Sequence, residues 1–168
     1  MNKVEITSSE PRKPRPPRAS PRNAQPCALF LDFDGVLHPT TDGTNANESI
    51  VRIVHFGWLP LLASVLEPHH VRIVVHSTWR YTHDIDELRA LLGVLGPRVI
   101  GATPRGPRYE SILSWLHLNP QFAAYRMLDD DAREFPAPPP PELILCDPAN
   151  GVSEARVLAA LSVWLKAL

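Results

Sequence analysis

At 168 residues, with 44% apolar and 21% charged side chains and a net charge of −1, the chain is long enough for one domain with a proper core; two domains are not expected. Its two cysteines, Cys27 and Cys146, argue against a disulfide framework and for a reducing compartment. No apolar run has the length of a membrane span and the N-terminus lacks the core of a signal peptide, which predicts a cytoplasmic protein with no membrane partner.

Residues 1–27 carry Lys3, Arg12, Lys13, Arg15, Arg18 and Arg22 against Glu5 and Glu10, a balance of +4 that leaves about −5 for the remainder. The segment SSEPRKPRPPRASPRNAQP is nearly free of apolar side chains. It has too little surface to bury to offset the entropy of ordering, so 1–27 is expected to be a disordered basic arm. Such an arm is usually a solvated tail; contact with nucleic acid phosphates is the functional alternative. Residues 28–168 are expected to form the folded domain. The runs ALFLDF, VRIVVH, RVI, YRMLD and ELILCD are short, apolar or β-branched and bounded by turn residues, as buried strands are. Between and after them, SIVRIVHFGWLPLLASVL, DIDELRALLGVL, YESILSWLHL and SEARVLAALSVWLKAL repeat apolar residues at helical spacing, with Pro60 kinking or splitting the first. PAPPPP, residues 136–141, reads as a stiff loop. The alternation predicts a three-layer, Rossmann-like α/β sandwich, a central parallel sheet with helices on both faces.

Ligands of such a sheet bind beyond the carboxyl ends of its strands. There the first strand, in LFLDFDGVLHP, ends in Asp32 and Asp34, followed by Gly35; the second, in HSTWR, ends in Ser77 and Thr78; and the fourth, in LDDD, ends in Asp129, Asp130 and Asp131. Arg108 opens the helix YESILSWL, with Arg105 close by. Singly, each has a bland explanation, because Asp and Gly favour turns and Ser and Thr cap helices. Together they are what phosphoryl transfer through an aspartate needs. One carboxylate attacks phosphorus, oxygen ligands hold Mg2+, a hydroxyl and a cation hold the phosphoryl oxygens, and a second carboxylate moves the proton. Elsewhere, Trp79, Trp115 and Trp164 read as core packing and His76 as a satisfied core histidine. His38 is placed to face the site, and Arg80 is equally a substrate contact or a structural ion pair. His69 and His70 read as solvated loop and Asp147 as a turn residue. No spaced Cys/His cluster for zinc is present.

DFDGV, a Ser/Thr after the second strand, a basic residue before a helix and DDD after the fourth strand resemble the four motifs of the haloacid dehalogenase superfamily. The finer pattern LDFDGVLHP…HSTWR…ATP…R…WL…LDDD…CDP is similar to one branch, the domain found in Swiss-Army-knife RNA repair proteins, over about residues 28–168. The resemblance implies a magnesium-dependent phosphatase with Asp32 as nucleophile and metal ligand and Asp34 as general acid/base, its backbone carbonyl also on the metal. It implies Ser77, with Thr78 as neighbour or substitute, for the phosphoryl group, Asp130 as direct magnesium ligand, and Asp129 as its partner in the shell behind. Asp131 is left as a turn cap. The superfamily usually has lysine where Arg108 stands; arginine can bind phosphate bidentately, so the role survives, with Arg105 the rival. The stretches 37–49 and 101–108 are too short for a cap domain, whose core takes ~40 residues or more. An open site suits a large phosphorylated substrate such as a nucleic acid end, although the flap HPTTDGTNANES allows a smaller ester. The competing reading is a catalytically silent domain that binds nucleic acid or a protein partner. A signalling receiver domain would need no Asp34, and its acidic pair would precede the phosphorylated residue. Oligomeric state is not legible.

Overall fold

The computed structural model describes residues 26–40 and 55–168. The predicted arm up to residue 25, most of the predicted flap and the first part of the predicted first helix lie outside them. Among the described residues, five strands form one sheet: β1 (Cys27–Leu31), β2 (Val71–Val75), β3 (Val99–Ala102), β4 (Ala124–Asp129) and β5 (Leu143–Leu145). All pairings are parallel and the order is β3-β2-β1-β4-β5, so the first strand is central, between the second and the fourth. Each predicted strand is present. Every residue of β1 is buried; at about 1.5–3 kcal/mol for each large apolar side chain fully removed from water, this strand anchors both halves of the core.

Those halves lie on opposite faces. Cys27, Leu29 and Leu31 pack with Leu62 and Leu66 of α1 (Leu59–Leu66), Leu88 of α2 (Ile85–Leu91) and Val157, Leu161 and Trp164 of α4 (Ala155–Lys166). Ala28 and Phe30 pack with Ile112 and Trp115 of α3 (Arg108–Leu118), the rings of Phe30 and Trp115 meeting edge to face at 5.5 Å. Helices therefore cover both faces, and Trp115 and Trp164 are core residues, as expected.

The first helix differs from its prediction. It starts at Leu59, after turns at 55–58, and Pro60 lies in its first turn. A proline there gives up an N–H that would have no helical partner anyway, so Pro60 neither kinks nor splits the helix but opens it. No room for a cap exists between β3 and α3, joined by residues 103–107, and 41–54 are too few for a cap with a core of its own, which takes roughly 40 residues. Residues 136–141 are loop. No helix among the described residues is long and apolar enough to cross a membrane.

Candidate active site

Sheet register brings the first acidic residues together. Leu31 is level with Val75 on one side and Leu128 on the other. The ladder runs one residue further: Asp32 N–H donates to the Leu128 carbonyl (3.1 Å) and His76 N–H to the Leu31 carbonyl (3.1 Å). His76, Asp32 and Asp129 thus form one row across the carboxyl edge of three adjacent strands. Side chains alternate along a strand. Leu31, Val75 and Leu128 belong to the core on the α1 and α4 face, so the next residues, Asp32, His76 and Asp129, fall on the α3 face.

Helix α3 begins with Arg108. Its Nη1 donates to Asp32 Oδ2 and to Asp129 Oδ2, the latter at 2.6 Å. A cation in the first turn opposes the helix dipole by about 0.3–1 kcal/mol, so helix stability does not explain this residue. The two carboxylates do: Asp32 and Asp129 are 1% and 0% exposed, and two bare charges that deep would be untenable without a counter-ion. Burial works against the charge on Arg108, but the neighbouring Asp32 and Asp129 outweigh it and hold the guanidinium protonated. Burial, reinforced by the charge of Asp32, pushes the Asp129 carboxyl up, and Arg108 opposes that rise. Arg105, its sequence rival, donates to the Tyr81 carbonyl (3.0 Å) and lies over the Tyr81 ring, so Arg108 is the arginine brought to the carboxylates.

Backbone amides and a hydroxyl fix the remaining oxygens. Asp32 Oδ1 accepts from Phe33 N–H (2.7 Å), Asp129 Oδ1 from Asp131 N–H (2.9 Å), and Asp130 Oδ2 from the Thr40 hydroxyl (3.0 Å). One oxygen from each of Asp32, Asp129 and Asp130 lies within 4.8 Å of the others, a group able to hold a metal ion. An all-carboxylate donor set suits a hard cation such as Mg2+, which takes oxygen ligands and needs few from the protein. Gly35 makes room for the set. Its φ is +67°, and a Cβ there would overlap the Asp130 carboxylate and stand 2.6 Å from Thr40 Oγ1. Burial raises the Asp130 carboxyl pKa, and the Thr40 hydrogen bond opposes the rise.

Other predicted residues are distributed around this centre. Asp34 is not in the cluster: its Oδ1 meets His38 Nε2 (3.0 Å) and its Oδ2 accepts from the Trp79 indole N–H (2.9 Å). Ser77 is fully buried, its Oγ accepting from Trp79 N–H (3.5 Å) as the cap of a 3-10 turn, Thr78–Tyr81. Thr78 is exposed and lines a cavity of about 400 Å³ with Trp79, Tyr81, Thr82 and His83. Asp131 caps the turn Ala132–Glu134 through Arg133 N–H (3.0 Å), and Asp147 accepts from Ala149 N–H (2.9 Å) in a turn. His76 Nε2 donates to the Leu128 carbonyl (3.1 Å), 3.7 Å from Asp129 Oδ2, and burial pushes its pKa down to about 4.

Arg80 and Trp79 make contacts beyond those expected of them. Arg80 makes no ion pair among the described residues; its Nη1 donates to the carbonyls of His76 and Ser77 (2.7 Å for Ser77), bracing the chain that carries Ser77. Trp79 packs against the core, but its indole N–H is spent on Asp34. The available signal was its place one residue beyond the Ser77–Thr78 pair. Thr40, 90 positions from Asp130, had no such signal.

An open parallel sheet with a carboxylate cluster and a bridging cation at the carboxyl ends of its central strands defines the haloacid-dehalogenase-like class. The family model described as the HAD domain in Swiss Army Knife RNA repair proteins matches residues 28–157, and the chain belongs to that family. No curated protein and no solved structure matches the chain significantly.

Proposed function

We propose that this protein is a magnesium-dependent phosphatase working through an aspartyl-phosphate on Asp32, with a large phosphorylated substrate such as a nucleic acid end. The observation that carries the reading is the meeting of Asp32, Asp129 and Asp130 within 4.8 Å, with Arg108 bridging the first two. Family membership supports hydrolytic phosphate chemistry, and the RNA repair setting in the family's description favours a polynucleotide. Among the described residues, the connection at 103–107 is too short to cover the site, which favours a bulky substrate. Two free, buried cysteines are consistent with a cytoplasmic setting.

In this reading Asp32, Asp130 and the Asp34 backbone carbonyl would hold Mg2+, with Asp129 behind them on Arg108. Bound there, the ion would offset repulsion between an anionic nucleophile and an anionic substrate. An Asp32 oxygen attacks phosphorus while the bond to the leaving oxygen breaks, and protonated Asp34 gives that oxygen its proton. Water then attacks the same phosphorus, Asp34 takes the proton, and the phosphorus–Asp32 bond breaks. Inorganic phosphate leaves and both side chains return to their starting forms. Ser77, Thr78 and the remaining N–H groups of Arg108 serve the phosphoryl oxygens.

The test compares wild type with Asp32→Asn, with magnesium, on 4-nitrophenyl phosphate and on oligonucleotides phosphorylated at either end. Wild type is expected to release phosphate and the variant, which keeps its fold but has an amide that cannot attack phosphorus, to release none. Equal rates, or no release by either protein across the panel, would replace the enzyme with a domain that only binds nucleic acid or a protein partner.

A further inference from the structure

Asp34 is half open to solvent, its side chain 41% exposed, yet both of its oxygens are engaged. The donors can be identified from their own neighbours. The Trp79 indole N–H has no acceptor role, so Oδ2 receives its hydrogen bond. His38 is 1% exposed, and its Nδ1 lies 3.4 Å from the Phe56 backbone N–H, which can only donate. Nδ1 is therefore the acceptor, the ring proton is on Nε2, and Nε2 donates to Oδ1.

Each donor is in turn held from behind. Trp79 belongs to the turn that Ser77 caps and Arg80 braces, and its ring meets Phe33 at 6.0 Å and Phe56 at 5.4 Å. The ring of His38 meets Phe56 at 5.3 Å. Phe56 has a φ of +61°, the one positive value outside glycine among the described residues. Backbone held in that region is strained for a residue other than glycine and persists only where the surroundings require it. Here the strained residue is the one whose N–H fixes the His38 tautomer.

We propose that His38 and Trp79 are positioning residues that clamp the Asp34 carboxylate for proton transfer to the leaving oxygen. The inference rests on the reading of Asp34 as general acid. A carboxylate oxygen has two lone pairs, so each can keep its clamp and still serve the leaving oxygen. Without the clamp Asp34 is an exposed side chain free among rotamers, and loss of that alignment lowers only steps that need its proton.

Leaving groups provide the test. Nitrophenolate departs unaided, whereas the alkoxide of a phosphorylated oligonucleotide needs a proton. Trp79→Phe and His38→Phe, which keep a ring and delete the N–H, are expected to lower kcat/KM, which ends at transfer to Asp32, about tenfold or more on the oligonucleotide and less than about twofold on 4-nitrophenyl phosphate, a fraction of the loss in Asp34→Asn. Added to Asp34→Asn, neither should lower kcat/KM further. If Asp34→Asn discriminates between the esters and the two clamp variants do not, the clamp is wrong and the phosphatase stands. If Asp34→Asn does not discriminate, the general-acid role of Asp34 and the clamp fall while the phosphatase stands; if wild type turns over neither ester, the phosphatase falls with them. A second measurement is independent of turnover: the Trp79 indole N–H resonance, identified by its loss in Trp79→Phe, is expected to move in Asp34→Ala. An unmoved resonance overturns the clamp whatever the kinetics.

Discussion

Gly35 follows the two aspartates beyond the carboxyl end of β1 in a left-handed backbone conformation, and its missing side chain is the space that the Asp130 carboxylate fills. A methyl group there meets both problems at once, so Gly35→Ala is expected to lower stability by about 1–3 kcal/mol through the strained φ. It should also displace Asp130 and shrink the magnesium-induced rise in melting temperature; thermal melts with and without magnesium check both. The sequence marks Gly35 as a turn residue, but its contact with Asp130 spans nearly a hundred positions and leaves no local trace. Arg108 and Arg105 illustrate the same limit. Each is three or fewer residues from the start of α3, and only strand alternation, which puts Asp32 and Asp129 on the α3 face, decides between them.

The N-termini of α2 and α3 contrast. Helix α2 has a full capping box, Asp84 Oδ1 accepting from the N–H groups of Asp86 and Glu87 (2.9 Å each) while Glu87 returns a bond to Asp84 N–H (2.8 Å). Helix α3 has no side-chain cap and starts with a cation. One end stabilises its own helix; the other is given over to the carboxylates of the sheet. Asp84→Ala is therefore expected to lower stability by about 1 kcal/mol, read as a lower melting temperature, without changing the magnesium-induced shift. Strands were legible because each is a short apolar run between turn residues, and that pattern has a single physical reading when a sheet is covered on both sides. The first helix was less so. Its apolar spacing runs across Pro60, and spacing alone does not tell a kink from a first turn.

Across the whole molecule, the sheet order puts the carboxyl ends of β2, β1 and β4 side by side, which is why residues from four separate stretches meet. A ligand that binds only the folded chain stabilises it, so magnesium is expected to raise the melting temperature, by an amount that grows with concentration. Asp130→Ala should abolish most of that shift, since Asp130 belongs to the cluster, while Asp131→Ala should leave it nearly intact, since Asp131 only caps a turn. Equal shifts in wild type and Asp130→Ala would exclude the assignment. The parallel sheet covered on both faces followed from the alternation of strand and helix; what did not follow was the second layer of contacts, Thr40, Trp79 and Arg80, because donors to a backbone or a distant carboxylate have no periodicity.

The guanidinium between Asp32 and Asp129 also bears on the order in which the protein is made ready. A newly synthesised chain carries its own tethered counter-ion, so it can close its sheet before any divalent cation arrives, and under the proposed function loading would be a step within a finished fold. Removing the tether should make maturation conditional. Wild type is expected to melt cooperatively in a chelator, whereas Arg108→Gln, left with uncompensated buried carboxylates at a penalty of about 3–5 kcal/mol, should refold poorly in a chelator and recover when magnesium is present from the start. Refolding yields of the two proteins, with magnesium added before or after dilution from denaturant, would measure that dependence.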